Sequence, residues 1–184
     1  MAHRPAYRNH GLTVIELMVV VALVGVLIAL AAPSMRSLMS AQRVASINAE
    51  LVTDLQFARS EAARRNRDVH VRFRAADNCY VLYVDNAAGG SCNCSLTPGV
   101  NVCTGGREEI KTVQVPLATG VALSASSATG QIIRFERVSG TSLPDDFTVS
   151  VTGELRGQLR TQVNPAGRPI VCSPDSSISK VPPC

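Results

Sequence analysis

The sequence predicts an α+β protein in which one long N-terminal helix packs against an antiparallel β-sheet domain. Residues 12–32 are apolar or small apart from Thr13 and Glu16, and helical periodicity then continues to about residue 65. Beyond residue 67 the apolar period becomes two, which is typical of β-strands. Turn residues separate several short strands, and this order of elements favours an antiparallel sheet beside the helix.

The apolar segment 12–32 is long enough to cross a membrane, because 21 helical residues rise about 31 Å and a hydrocarbon core is about 30 Å thick. A cleaved secretory signal fits less well, since its apolar core has about 7–15 residues and a small-x-small site follows it. A plain single-span anchor accounts for the segment and for the cytoplasmic Arg4 and Arg8. It leaves Glu16 unexplained, because a carboxylate within a bilayer is costly without a partner.

The helical pattern continues beyond this segment, where apolar residues recur at spacings near three and four and neither Gly nor Pro occurs in residues 34–67. The apolar positions are Met35, Leu38, Met39, Ile47, Leu51, Leu55, Ala58 and Ala62. We predict one helix over residues 12–65, bent at Pro33. We interpret Met35, Met39 and Phe57 as core residues.

The remainder of the chain reads as strands and turns. Residues 69–73 and 79–84 alternate and should form a hairpin through 75–78, and residues 86–106 form a loop rich in Gly, Ser, Asn and Cys. Further strands are predicted at 110–115, 121–124, 132–137, 147–151, 157–163 and about 169–172.

The start of the apolar segment carries a recognisable motif. The sequence from Gly11 to Leu17, GLTVIEL, resembles the processing motif of type IV pilins and type II secretion pseudopilins. The resemblance implies that a prepilin peptidase cuts between Gly11 and Leu12, and that Leu12 is then N-methylated. It also implies that Glu16 pairs with the N-terminal amine of a neighbouring subunit, and that Pro33 distorts the helix.

Three later segments of the sequence indicate which group of pilin-like proteins the chain resembles. Residues 51–62, 133–140 and 163–172 resemble the GspH/FimT group of minor pseudopilins and minor pilins. The resemblance implies a cleaved basic leader over 1–11, a transmembrane and assembly helix over 12–32, an amphipathic second half over 33–66, and a periplasmic β-rich domain over 67–184.

The implied function is that of a non-enzymatic minor pilin or pseudopilin for assembly of a type IV pilus or a type II secretion pseudopilus. Its implied partners are the prepilin peptidase, other major and minor pilins or pseudopilins, and the lipid of the inner membrane. The implied location is the bacterial inner membrane, as a single-pass protein with a periplasmic C-terminal domain, and afterwards the filament.

All six cysteines lie beyond the apolar segment, and an even number in an oxidising compartment indicates disulfides. They are Cys79, Cys92, Cys94, Cys103, Cys172 and Cys184. A metal site built from Cys92, Cys94 and Cys103 is the alternative, but one-residue spacing is unusual for zinc and no His lies nearby. We expect no metal, Cys92 and Cys94 each bonded to Cys79 or Cys103, and Cys172 bonded to Cys184.

The sequence contains no recognisable catalytic constellation and no cofactor-binding motif. His70 is the only histidine outside residues 1–11, and the glycine pairs at 89–90 and 105–106 lack the Lys of a P-loop. We therefore expect no enzymatic activity and no cofactor.

Clusters of basic residues are consistent with a second function, which is the binding of a polyanion. Arginines cluster near the helix-to-strand junction, where Glu61 and Glu108 can pair with them, and again toward the C-terminus at Arg156, Arg160 and Arg168. Some FimT proteins bind DNA through a Gly-Arg-x-Arg segment, which here reads GRPI from Gly167, without the second Arg. Loss of residues 1–11 lowers the formal net charge from +4 to +2, and Trp is absent. DNA binding in natural transformation is therefore the alternative function.

Overall fold

The structure is a computed structural model that describes residues 13–86, 89–98, 100, 102–126 and 131–184. One helix, α1 (Val14–Arg65), opens the described chain, so the single long helix predicted from periodicity is confirmed. The chain divides into two compact units, residues 1–36 and 37–184. The second half of α1 therefore belongs to the same unit as the strands.

Local interactions account for both ends of α1. At its start the backbone N–H of Glu16 donates to the hydroxyl of Thr13 at 3.3 Å, which satisfies a free donor of the first turn. At its end Asn66 adopts a φ of 50°, and the N–H of Arg67 donates to the carbonyl of Ala62 at 3.2 Å. A left-handed residue that redirects the backbone in this way is a common helix terminus.

Nine strands follow in the described chain. They are β1 (Val69–Arg74), β2 (Cys79–Val84), β3 (Glu108–Gln114), β4 (Val121–Ser126), β5 (Ile132–Phe135), β6 (Ser142–Leu143), β7 (Thr148–Gly153), β8 (Gln158–Val163) and β9 (Pro169–Cys172). All predicted strands are present within a few residues. Strand β6 was not predicted, because two residues are too short to show a period.

The strands form two antiparallel sheets. One has the order β3-β2-β1-β5-β6 and the other the order β4-β7-β8-β9. The predicted hairpin is confirmed, since β1 pairs with β2 from Val69 opposite Val84 to Arg74 opposite Cys79. The division into two sheets was not predicted. It arises because β4 pairs with β7 and not with β3, its neighbour in sequence.

The core lies between the sheets and the second half of α1. Val44, Leu51, Leu55, Ala58 and Ala62 of the helix are fully buried. Facing them from the sheets are buried residues that include Val71, Phe73, Tyr80, Leu82, Leu123, Ile133, Phe135, Phe147, Val149, Val151, Leu159 and Val163. Of the stripe predicted from helical spacing, the part from Ile47 to Ala62 packs on the domain, whereas Leu38 is 53% exposed.

The prediction that Met35, Met39 and Phe57 belong to the core is wrong. Their side chains are 60%, 48% and 41% exposed. At 100° per residue, Met39 and Phe57 lie about 130° around the helix from the buried stripe. Apolar character alone did not distinguish the buried face of α1 from the open one.

Several polar connections between described residues hold the elements of the domain together, and Asn78 makes the first of them. The amide of Asn78, which is 2% exposed, donates to the carbonyls of Val115 and Val121 at 3.0 and 2.7 Å and accepts from the N–H of Leu123 at 2.7 Å. This side chain joins the end of β3 to β4, and so one sheet to the other.

The second connection joins α1 to the five-stranded sheet. The buried carboxylate of Asp54 accepts from the hydroxyl of Tyr80 at 2.8 Å and from the ammonium of Lys111 at 2.8 Å. A buried charge needs such partners, because removing it from water without them is costly.

The third connection is an ion-pair network at the end of α1. The carboxylate of Glu61, which is 5% exposed, accepts from Arg64 at 2.7 Å and from Arg65 at 2.6 Å, and Arg65 also pairs with Glu108. The expectation that junction arginines pair with Glu61 and Glu108 is therefore confirmed.

Candidate functional site

The first half of α1 is an uncovered apolar surface. Every side chain described in residues 14–32 is exposed, with Val14, Leu17 and Leu30 at 74%, 58% and 72%. This segment makes α1 long and apolar enough to cross a membrane. An apolar face of this extent requires cover by lipid or by other helices.

Glu16 lies in the first turn of this apolar segment. Its carboxylate has no ion-pair or hydrogen-bond partner among the described residues, and its backbone N–H is capped by Thr13. A negative charge at a helix N-terminus is favoured by the helix dipole. The predicted cleavage and methylation positions, Gly11 and Leu12, lie outside the described residues. Pro33 lies within α1, and its role as a bend stays a prediction.

The cysteines form three disulfides, Cys79–Cys94, Cys92–Cys103 and Cys172–Cys184. Cys92 and Cys94 thus bond to different partners. The first two bonds lie in a second, smaller apolar cluster with Val81, Tyr83 and Val102. None of the six cysteines, all of which lie in the described chain, is left as a thiol that could ligate a metal.

His70 lies in β1, beside the smaller apolar cluster. Its ring is near the ring of Tyr83, with centroids 5.3 Å apart, and its Nδ1 is 3.9 Å from the Oδ2 of Asp85. Burial lowers the pKa of His70, against an opposing effect of Asp85. The surroundings of the ring are those of a packed sheet residue.

The three arginines considered for DNA binding do not lie together. Arg156 is in the turn before β8, where its carbonyl accepts from the hydroxyl of Ser40 at 2.9 Å. Arg160 is an exposed residue within β8, and Arg168 lies beyond the far end of that strand. Since a strand rises about 3.3 Å per residue, the length of β8 alone separates Arg156 from Arg168 by about 20 Å.

Arg168 instead borders a cleft with two other arginines. The cleft has a volume of about 650 Å³, and Arg59 of α1, Arg137 and Arg168 contribute to its wall. The Nε of Arg59 donates to the carbonyl of Gly140 at 3.0 Å. Neither the Arg137 nor the Arg168 guanidinium has an ion-pair or hydrogen-bond partner within the described part of the chain.

Two glycines make room for this arrangement. Gly140 and Gly167 have φ of +64° and +71°, and a Cβ at Gly167 would lie 2.4 Å from the carbonyl oxygen of Gly140. Arg59 packs against both glycines, within 3.3 Å of the position of such a Cβ. Sequence reasoning did not bring Arg59 and Arg137 together with Arg168, because residues so far apart in sequence give no local signal.

The uncovered helix and the disulfide-bonded strands together define the class of protein. An uncovered apolar N-terminal helix that runs into a disulfide-bonded domain of antiparallel strands is the architecture of a pilin-like protein. The fold is similar to that of the type IV minor pilin FimU of Pseudomonas aeruginosa, with a TM-score of 0.52 and 17% sequence identity over 74% of this chain and 96% of that chain. It also resembles EpsH, the minor pseudopilin of the type 2 secretion system of Vibrio cholerae, with a TM-score of 0.46 and 18% identity over 71% and 97%. No curated protein matches the chain significantly.

Two family models match the sequence itself. The model described as "Prokaryotic N-terminal methylation motif" matches residues 7–32, and that described as "Type II transport protein GspH" matches residues 48–167. Because the second match spans more than half of the chain, this protein belongs to the GspH family. It is a subunit of the minor pilin and pseudopilin kind, which serves in pilus or type II secretion assembly.

Proposed function

We propose that the chain is the precursor of a non-enzymatic minor pilin or pseudopilin that the inner membrane holds through residues 12–32 until it enters a filament. The uncovered apolar half of α1 carries this proposal. In the membrane lipid covers this surface, and in a filament the helices of other subunits replace the lipid. The domain of residues 37–184 has its own core and remains on the periplasmic side.

Processing and assembly then assign roles to the first residues. Removal of the leader after Gly11 frees the amine of Leu12, which is methylated, and leaves Glu16 four positions further along. An incoming subunit's Glu16 pairs with the amine of its neighbour. Two opposite charges in a medium of low dielectric offset each other's desolvation only when they meet in good geometry, so this pair favours one register of insertion.

The variant Glu16→Ala tests this role. We expect membrane insertion to be retained, because a costly carboxylate has been removed from the apolar segment. We expect the subunit to be strongly depleted from filaments sheared from cells, because the neighbour's amine has lost its counter-charge. Glu16→Gln is the matched control for side-chain size and should be depleted equally if charge is the cause. Wild-type amounts of Glu16→Ala in sheared filaments would refute the role.

The two unpaired guanidiniums at the cleft favour one second candidate function, which is DNA binding during natural transformation. The soluble domain from about residue 34 would then bind duplex DNA without sequence preference, and affinity would fall steeply with salt as counterions are released. Because the mature net charge is only +2, we expect a dissociation constant no better than about 10⁻⁴–10⁻⁶ M at physiological salt.

Substitutions distinguish DNA binding by the arginines of the cleft from DNA binding by the other basic residues. For a DNA receptor, Arg168→Ala and Arg137→Ala should weaken binding and each lower the salt slope by about one unit. Arg156→Ala is the control, because it removes an equal charge at the other end of β8. Binding clearly tighter than the stated range, and lost in Arg168→Ala but not in Arg156→Ala, would favour the DNA receptor over the assembly subunit.

A further inference from the structure

One end of the domain carries an exposed apolar surface that neither assembly nor processing explains. It consists of the loops 116–120 and 153–157, which lie beside residues 40–44 of α1, and we call it the entry face because α1 enters the domain there. Arg43 donates to the carbonyl of Thr119 at 3.1 Å, and the hydroxyl of Ser40 donates to the carbonyl of Arg156 at 2.9 Å. The N–H of Glu154 donates to the carbonyl of Gly120 at 2.8 Å and joins the two loops.

Each loop of the entry face presents a leucine to solvent. Leu117 is 80% exposed and Leu155 is 65% exposed, and the neighbours of Leu117, Pro116 and Ala118, are also exposed. Beside Leu117 is a shallow depression of about 280 Å³, lined mostly by apolar groups that include Val121 and Ala122. A single exposed leucine is ordinary on a protein surface, but two on adjacent loops beside such a depression form a patch.

Three basic residues lie on the same end of the domain as this patch. Arg43 and Arg156 make no ion pair within the described residues, and Lys180 is exposed on the C-terminal loop, two residues after Ile178, which packs near Gly157. The acids on the same end are Glu154, which is exposed, and Asp175. Asp175 accepts from the hydroxyls of Ser177 and Ser173 at 2.6 and 3.0 Å, and these bonds lower its pKa. The cations thus outnumber the acids by one.

The covalent connection limits how far the entry face can be from a membrane. Ser40, which contacts Arg156, follows Ala32, the last residue of the apolar segment, by only eight positions. Even a fully extended chain of eight residues reaches at most about 29 Å. A membrane-anchored chain therefore keeps the entry face close to the lipid headgroups at a high effective concentration.

We propose that the entry face docks on the phospholipid surface while the protein is anchored, with Leu117 and Leu155 inserted at the boundary between headgroups and acyl chains. The proposal rests on the membrane anchor of the proposed function. Apolar side chains that enter this boundary beside cations that contact anionic headgroups are the usual composition of a peripheral membrane contact. Docking would fix the domain's orientation on the membrane before assembly, and entry into a filament would require its release.

Tryptophan reporters test this docking in the full mature chain, because the protein has no tryptophan of its own. Leu117→Trp and Leu155→Trp each place one indole on the entry face. Val138→Trp is the matched control, since Val138 is 87% exposed but borders the arginine cleft near Arg59. Each variant is reconstituted at high lipid-to-protein ratio into vesicles of phosphatidylethanolamine and phosphatidylglycerol, with and without phosphatidylcholine brominated in the upper acyl chain.

We expect brominated lipid to quench the emission of both entry-face variants by about twofold or more, and to leave Val138→Trp unchanged, as insertion of 5–10 Å into the boundary requires. In the Leu117→Trp background, Arg156→Gln should reduce the quenching on vesicles that contain phosphatidylglycerol. Arg160→Gln, an exposed charge within β8, is the control and should not.

The outcomes separate this inference from the function on which it rests. If the chain resists carbonate extraction but neither entry-face variant is quenched, the docking is refuted and the anchor stands. Equal quenching of Val138→Trp would also refute it, because the contact would not be confined to the entry face. Quenching that disappears when other pilin subunits are added, while the chain stays in the membrane, is the release expected on assembly. A chain that carbonate extracts would refute both the anchor and the docking.

Discussion

Among single residues, Asn78 contributes more to the domain than its position in a turn suggests. Asn78 has a φ of 50°, a left-handed conformation that costs most residues other than Gly and Asn about 1–2 kcal/mol. Its buried amide also makes three hydrogen bonds that join the two sheets. Position 78 therefore requires a residue that tolerates a left-handed backbone and also carries a side-chain amide. This combination explains why an asparagine follows Asp77 and precedes β2.

We predict that Asn78→Ala lowers the free energy of unfolding of the soluble domain by about 3–5 kcal/mol, because it adds backbone strain and leaves buried backbone groups unpaired. Asn78→Gly should cost less, since only the hydrogen bonds are lost. Asn66→Ala is the matched control, because Asn66 has the same φ of 50° but is exposed. Denaturant titration measures all three. Equal losses at the two positions would show that backbone conformation alone matters.

Glu61 makes stability depend on pH. Hydrogen bonds from Arg64 and Arg65 lower its pKa from 4.5 to about 2. A carboxylate with a lowered pKa in the folded state stabilises the protein fully above its unfolded pKa, and this stabilisation is lost as pH falls through the folded pKa.

We predict that wild-type protein is more stable than Glu61→Gln by about 2–3 kcal/mol at neutral pH, and that this difference disappears between about pH 4.5 and pH 2. Unfolding titrations at a series of pH values measure the difference. Glu154→Gln, at an exposed carboxylate, is the control for the loss of a surface charge. A constant difference from pH 7 to pH 2 would contradict the assigned ion pairs.

At the scale of elements, the C-terminal segment is held by one disulfide and a few hydrogen bonds. Cys184 is bonded to Cys172 at the end of β9, and the N–H of Ser173 donates to the carbonyl of Pro182 at 2.9 Å. The hydroxyl of Ser173, which is shared between the carbonyl of Gln158 at 3.1 Å and the carboxylate of Asp175 at 3.0 Å, fastens the segment to β8. The disulfide therefore closes a loop that contacts the start of β8.

We predict that Cys184→Ser lowers the free energy of unfolding by about 3 kcal/mol, the chain-entropy value for a loop of this size. The double variant Cys172→Ser and Cys184→Ser should lose about the same amount, because the two sulfurs act as one cross-link. Denaturant unfolding gives both values, and non-reducing peptide mapping identifies the bond. Finding Cys184 joined to Cys92 or Cys94, or free, would overturn the pairing.

At the scale of the whole molecule, cleavage of the leader determines the N-terminus of the mature subunit. We predict that the mature protein begins at Leu12 and carries an N-methyl group, because Gly11 ends a basic leader directly before the apolar segment. Mass spectrometry of membrane-extracted protein measures the terminus. An intact Met1, or cleavage after Ala32 as in a secretory signal, would contradict a pilin-like precursor.

The sequence by itself determined the features that depend on local interactions. The long helix followed from the absence of Gly and Pro over 34–67 and from apolar spacing, and the strands followed from alternation and turn residues. The methylation motif pointed to the pilin class, because its residues are contiguous. The disulfide between Cys172 and Cys184 could also be predicted from the sequence, since a frayed terminus is commonly held by a bond close in sequence.

Only the tertiary structure decided which distant residues meet. Arg59, Arg137 and Arg168 reach one cleft because α1, the turn after β5 and the turn before β9 converge there. The split into two sheets, the bridging role of Asn78 and the exposed leucines of the entry face have the same origin. Each depends on contacts between segments many residues apart, and the choice among such pairings is made by the packing of the whole core, which no local pattern of residue types records.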